Sequence, residues 1–128
     1  MEKALIHKSD GSTEVVEFEL GNSYRLISDA VNGLIELVHL APNLDLWVNE
    51  NFIAEAEEKN LQINAVASAM FNATTGATYP ILGDVVFTGG TDDEGETLGL
   101  SDDTVSRLQL IIAKASPLVA KINAQHAE

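Results

Sequence analysis

Cysteine is absent from this chain. That absence removes disulfide scaffolds, thiolate metal sites and cysteine nucleophiles together, and nothing calls for an oxidising compartment. Cationic side chains are scarce as well: seven Lys and Arg stand against twenty Asp and Glu, a formal net charge of -13. Such a balance favours solubility and repels nucleic-acid backbones and anionic membranes, so direct nucleic-acid binding is not expected. Between Lys59 and Arg107 there is no Lys or Arg at all, and Arg25 and Arg107 are the only arginines. Long apolar runs are missing too. The longest stretch without Lys, Arg, Asp or Glu, Asn60 to Gly83, is full of Asn, Thr and Gly, unlike a membrane span. The N-terminal MEKALIHKSDG turns polar after three apolar residues and does not read as a secretory signal. A soluble, intracellular protein is the expectation.

What is present suffices for one domain. With 128 residues, 45% of them hydrophobic, the chain can build a single core. The pattern predicts an α+β fold: a small antiparallel sheet core with short helices and a long C-terminal helical arm. The β-rich core is expected over about residues 1–100 and the arm over 101–126. Ala4 to Ile6 and the alternating Val16, Phe18 and Leu20 flank Asp10-Gly11 as a hairpin. Asn22 or Ser23 can cap a short helix that Asn32-Gly33 stops. GLIELVHL and LDLWVNE, joined by Ala41-Pro42-Asn43, read as a second hairpin, and Asp84 to Thr88 as a fifth strand. Helical segments are expected around Ile53 to Lys59 and Ile63 to Phe71, with residues 72–83 as loop. Ser101 before Asp102 and Asp103 is a helix start. Beyond it, Val105, Leu108, Ile112, Ala115, Val119 and Ile122 step by three and four, a seam that packs either on the chain's own sheet or on another copy. At Pro117 the helix either kinks or gives way to a second one capped by Ser116.

Chemistry-bearing motifs are few. Asp92, Asp93, Glu94 and Glu96 lack the spacing of a calcium loop: with Gly95 at the sixth position, Gly90 falls first and Ser101 last. The run reads as a solvated loop or, in the alternative, as a divalent-cation site that would serve a nucleotide hydrolase. His7, His39 and His126 lie far apart with no partner motif, so no catalytic residue, metal or cofactor is assigned. Features suited to binding are clearer. Trp47 shares a strand face with Asp45 and Asn49, as a stacking platform or as core beneath a covering helix. Arg25 and Arg107 either pair with carboxylates or present a planar fork to a phosphate or base edge. Phe71, Asn72 and Tyr79, in or beside an uncharged loop, offer stacking and an amide that reads base edges, or are ordinary core residues.

VNGLIELVHL, LDLWVNENF, QINAVASAM and ILGDVVFTGG, in that order and with their G-x-I-E, L-x-L-W-V-N-E and G-D-V-V-F-T-G elements over residues 33 to 90, resemble a family of small phage and prophage proteins catalogued without a function. The plan of a β-rich core followed by long C-terminal helices also resembles the first Thoeris anti-defence family. That resemblance implies a homo-oligomer, assembled through C-terminal helices in the host bacterial cytoplasm, that sequesters a cyclic ADP-ribose-type signal without cleaving it. It implies ligand contacts from Arg25, Arg107, Phe71 and Trp47 in pockets between subunits. An acidic protein-interaction module, or a nucleic-acid mimic that inhibits a host enzyme, is the alternative that the -13 charge suggests.

Overall fold

Two residues with left-handed backbones close the two hairpins around which the sheet is built. In a computed structural model that describes the backbone of residues 1–126 and the side chains of residues 1–115, β1 (Glu2–His7) turns at Gly11, φ 98°, into β2 (Thr13–Phe18). The Asp10 carboxylate accepts from the Ser12 amide at 2.8 Å and fixes the turn. After the helix α1 (Tyr24–Val31), β3 (Ile35–Ala41) turns into β4 (Leu44–Asn49). Here Asn43, φ 63°, supplies the left-handed residue, and the register slips between His39 and Ala41. The short helices α2 (Phe52–Glu55) and α3 (Ala65–Thr75) lead to β5 (Val85–Thr88), and α4 (Asp102–His126) follows.

All strand pairs are antiparallel, in the order β2-β1-β5-β4-β3. The last strand in sequence is therefore the middle of the sheet. Its four residues, VVFT, are all buried, because a central strand covered on both faces needs apolar groups in succession rather than alternation. The period-two pleat then separates two cores. Leu5, Leu46, Val48, Val85 and Phe87 face α2, α3 and the start of α4, while Ala4, Phe18, Val86 and half-buried Trp47 face Ile27 and Val31 of α1. The molecule is thus a three-layer α/sheet/α arrangement within the α+β class.

The helix ends follow from their caps. Asn32, φ 61°, stops α1, and its terminal carbonyls are met by the Asn49 amide and the Lys59 ammonium. Ser23 stands at the start of α1 but its side chain makes no capping bond. At α3 the buried Asn64 accepts from the Ala67 amide, and its amide nitrogen reaches the carbonyls of His7 and Gly83 at 3.2 Å each. One side chain so ties the helix to the sheet. Ser101 caps α4, accepting from the Thr104 amide at 3.1 Å.

One expectation is corrected here, and one alternative is removed. Helix α3 continues to Thr75, so the segment expected as loop begins later, at Gly76 with φ 75°. Of the two alternatives at Pro117, the second helix capped by Ser116 does not form: α4 runs as one element from Asp102 to His126. The choice between own sheet and second copy is also resolved for the first turns of α4. Val105, Leu108 and Ile112 are buried in the domain's own core, whereas Leu110 and Ile111 are exposed. The side chains of Val119 and Ile122 lie outside the described residues.

Candidate functional site

Where α4 leaves the sheet, its first three turns and the β3–β4 turn bound a cleft of about 560 Å³. Ser101, Thr104, Arg107, Leu108 and Ile111 recur at helical spacing along one wall. Ala41 to Leu44 form the other, and Gly89, Leu98 and Gly99 the floor. The glycines are demanded by close backbone approach. A Cβ on Gly89 would lie 2.0 Å from the Gly99 carbonyl oxygen, and one on Gly99 2.6 Å from the Lys3 amide nitrogen. Gly89 donates to Leu98 and Leu98 to Gly90, each at 2.8 Å, while the Leu100 amide is held by the Lys3 carbonyl. Residues 97–100 are thereby stitched between β5 and β1.

The cleft is chemically two-sided. Pro42, Leu44, Leu98, Leu108 and Ile111 give apolar surface; Ser101, Thr104, Asn43 and Arg107 give hydrogen-bonding groups. Arg107 touches Asp103 through Nε at 3.0 Å, an exposed i,i+4 pair of little energetic weight. Its remaining guanidinium N–H groups have no partner among the described residues. Lys3 flanks the other side of the helix start and donates to Asp102 at 2.7 Å, which holds its ammonium pKa above the ordinary lysine value.

The other candidate residues do not join Arg107. Phe71 and Tyr79 do meet, with ring centroids 5.3 Å apart, and Phe52 stacks on Tyr79 at 6.4 Å. Phe71 is buried and Tyr79 half open, so the cluster closes the α2–α3 side of the core. Asn72, next along α3, has a buried amide oxygen without a hydrogen-bond partner among the described residues. Trp47 lies on the opposite face, beneath α1, and its indole N–H donates to the Thr88 hydroxyl at 2.8 Å. Arg25 stands exposed on α1 with no ion pair among the described residues. The six candidates thus occupy three places: one cleft, one aromatic cluster and the α1 layer.

Thr104, Asn43 and Gly99 belong to no chemistry-bearing sequence motif, although Ser101, Thr104 and Arg107 share one helical face and that spacing is visible in the sequence. His39, without a partner motif in sequence, finds one in the fold. The Asp45 carboxylate, almost fully buried, accepts from His39 Nδ1 at 2.8 Å and orients an exposed imidazole. Asp92 is the anchor of its own turn, its carboxylate accepting from the Glu94 and Glu96 amides at 2.9 Å each. His7 is buried against the β1–β2 turn. Desolvation pushes its pKa below the usual histidine value, opposed by its bond to the Ser12 carbonyl. The Asn49 amide and the Lys59 ammonium hold the Glu55 carboxyl below the ordinary range.

Among the described residues no three His, Asp or Glu side chains are placed to hold one metal ion, and no helix is long and apolar enough to cross a membrane. Comparison with known proteins yields no matching curated protein and no matching solved structure. The family model described as "Domain of unknown function (DUF3846)" matches residues 1–112, from β1 into α4, and the chain belongs to that family.

Proposed function

We propose that the protein is a binding protein that sequesters a small cyclic nucleotide signal of the kind that activates a bacterial defence, without turning it over. The observation that carries this reading is the cleft beside α4. It pairs the Arg107 fork with two hydroxyls, Ser101 and Thr104, across from an apolar wall. A guanidinium suits a phosphate through paired charge-assisted bonds, the hydroxyls suit ribose or phosphate oxygens, and the wall suits the face of a base. About 560 Å³ falls within the range of small-molecule sites. Binding is favoured over turnover because the lining contains no imidazole or carboxylate to move a proton. The sequence resemblance described above points the same way. The aromatic cluster of Phe71 and Tyr79 would serve the ligand only from a neighbouring subunit, which accords with an oligomeric assembly.

Titrating wild type and Arg107→Ala with cyclic ADP-ribose isomers and cyclic dinucleotides tests the assignment. Loss of a bidentate phosphate contact should weaken binding about 10- to 100-fold. Unchanged affinity for a ligand that wild type binds would move the site away from this cleft.

A further inference from the structure

A second surface, independent of the cleft, lies on the opposite side of the sheet from β3. Strand β2 is the outer strand of the order, paired among the described residues only with β1. The Lys8 amide donates to the Ser12 carbonyl, so Lys8 and Ser12 are a hydrogen-bonded pair, and alternation makes Ile6–Glu14 and Ala4–Val16 the next such pairs. It follows that Thr13, Val15 and Glu17 turn their N–H and C=O groups away from the sheet. Among the described residues no backbone group takes them up. An open edge of this kind pairs with any extended chain that fits it.

The side chains decide which chain fits. Reading outward, β2 presents Glu14, Val15, Val16 and Glu17. Glu14 and half-buried Val16 lie on the α1 face, while Val15, 42% exposed, and Glu17 lie on the other. Glu14 also borders a groove of about 510 Å³ with Asp29, Asp84 and Lys8 around an apolar floor that includes Leu26, so three carboxylates meet one ammonium there. A second copy of β2 is a poor occupant. Only odd residues turn their backbone groups outward, so an antiparallel copy sets Val15 opposite Val15, Glu17 opposite Thr13 and Glu14 opposite Val16: neither glutamate meets a cation, and two chains of net charge -13 repel.

The geometry points to β2 as a docking edge for an extended segment of a partner protein with the pattern basic, apolar, apolar, basic, added antiparallel to the sheet. One cation of that segment faces Glu14 and enters the groove, the other faces Glu17, and the two apolar residues cover Val15 and Val16. Main-chain bonds at Thr13, Val15 and Glu17 supply affinity, and the charges fix register and favour a basic segment.

The test uses end-blocked hexapeptides with Lys-Val-Val-Lys at the centre, titrated into the whole protein by amide chemical-shift mapping. Binding with shifts centred on β2 is expected. N-methylation of the second Val, the residue that faces Val15, should weaken binding about tenfold, whereas methylation of the first, whose N–H points away, should not. Glu-Val-Val-Glu should bind only the E14K/E17K variant, which folds readily because both positions are exposed. Equal binding of both methylated peptides, or absence of any shift at millimolar peptide, would overturn the proposal. So would a wild-type dimer in sedimentation that Val15→Pro abolishes, since it would make a second copy the occupant.

Discussion

Replacing Gly89 by alanine adds one methyl group at the floor of the cleft and should be among the costliest small changes in the chain. Its Cβ would stand 2.0 Å from the Gly99 carbonyl oxygen, so the 97–100 segment must retreat by roughly an ångström or more to restore contact distance. That movement breaks the two 2.8 Å bonds between Gly89 and Leu98 and between Leu98 and Gly90, worth about 1 kcal/mol each. Overpacking adds about 1–3 kcal/mol. The sum, about 3–5 kcal/mol, is a large share of the stability of a domain this size. Gly95→Ala is the control: φ is 82° but nothing lies within 4 Å, so the backbone penalty of about 1–2 kcal/mol acts alone. Urea unfolding followed by the fluorescence of Trp47, the only tryptophan, measures both. If Gly89→Ala costs no more than Gly95→Ala, the close approach of the two backbones is wrong.

Asn49→Ala should cost about 2–4 kcal/mol, because a buried amide that meets the C-terminal carbonyls of α1, the Glu55 carboxylate and the Asn51 amide is lost together with its packing; a loss below about 1 kcal/mol would contradict that network. Burial lowers the folded-state pKa of His7 below its unfolded value, so the unfolded chain takes up the proton first as pH falls below about 6.5. Stability should therefore decline on acidification from that point, and the decline should be shallower in His7→Gln when urea midpoints are compared between pH 7 and pH 5.

Much of the framework is legible in local pattern, for reasons visible at particular residues. Asp10-Gly11 and Asn43 specify turns by backbone conformation, Asn32 stops a helix in the same way, and Ser101 starts one with its own hydroxyl. Tertiary placement is what the pattern omits. VVFT reads as a strand, yet nothing in four residues says that it inserts between β1 and β4, and that insertion decides which side chains share a face. Trp47 shows the consequence. Strand alternation puts it with Asp45 and Asn49, on a face that reads as polar until α1 folds over it and Thr88 receives the indole N–H. Arg25 and Arg107 read alike in sequence but fall on opposite layers. The cleft itself depends on Gly89 and Gly99 meeting across ten residues of chain, a contact that composition and periodicity do not encode.

Whether this chain holds a nucleotide signal without altering it is decided by recovery of the ligand. Purified protein is incubated with cyclic ADP-ribose isomers and cyclic oligonucleotides, freed of unbound compound, denatured, and the released material analysed by mass spectrometry. Sequestration predicts one intact nucleotide in stoichiometric amount from wild type and little from Arg107→Ala. A cleaved product, or no nucleotide from any member of the panel, would contradict it.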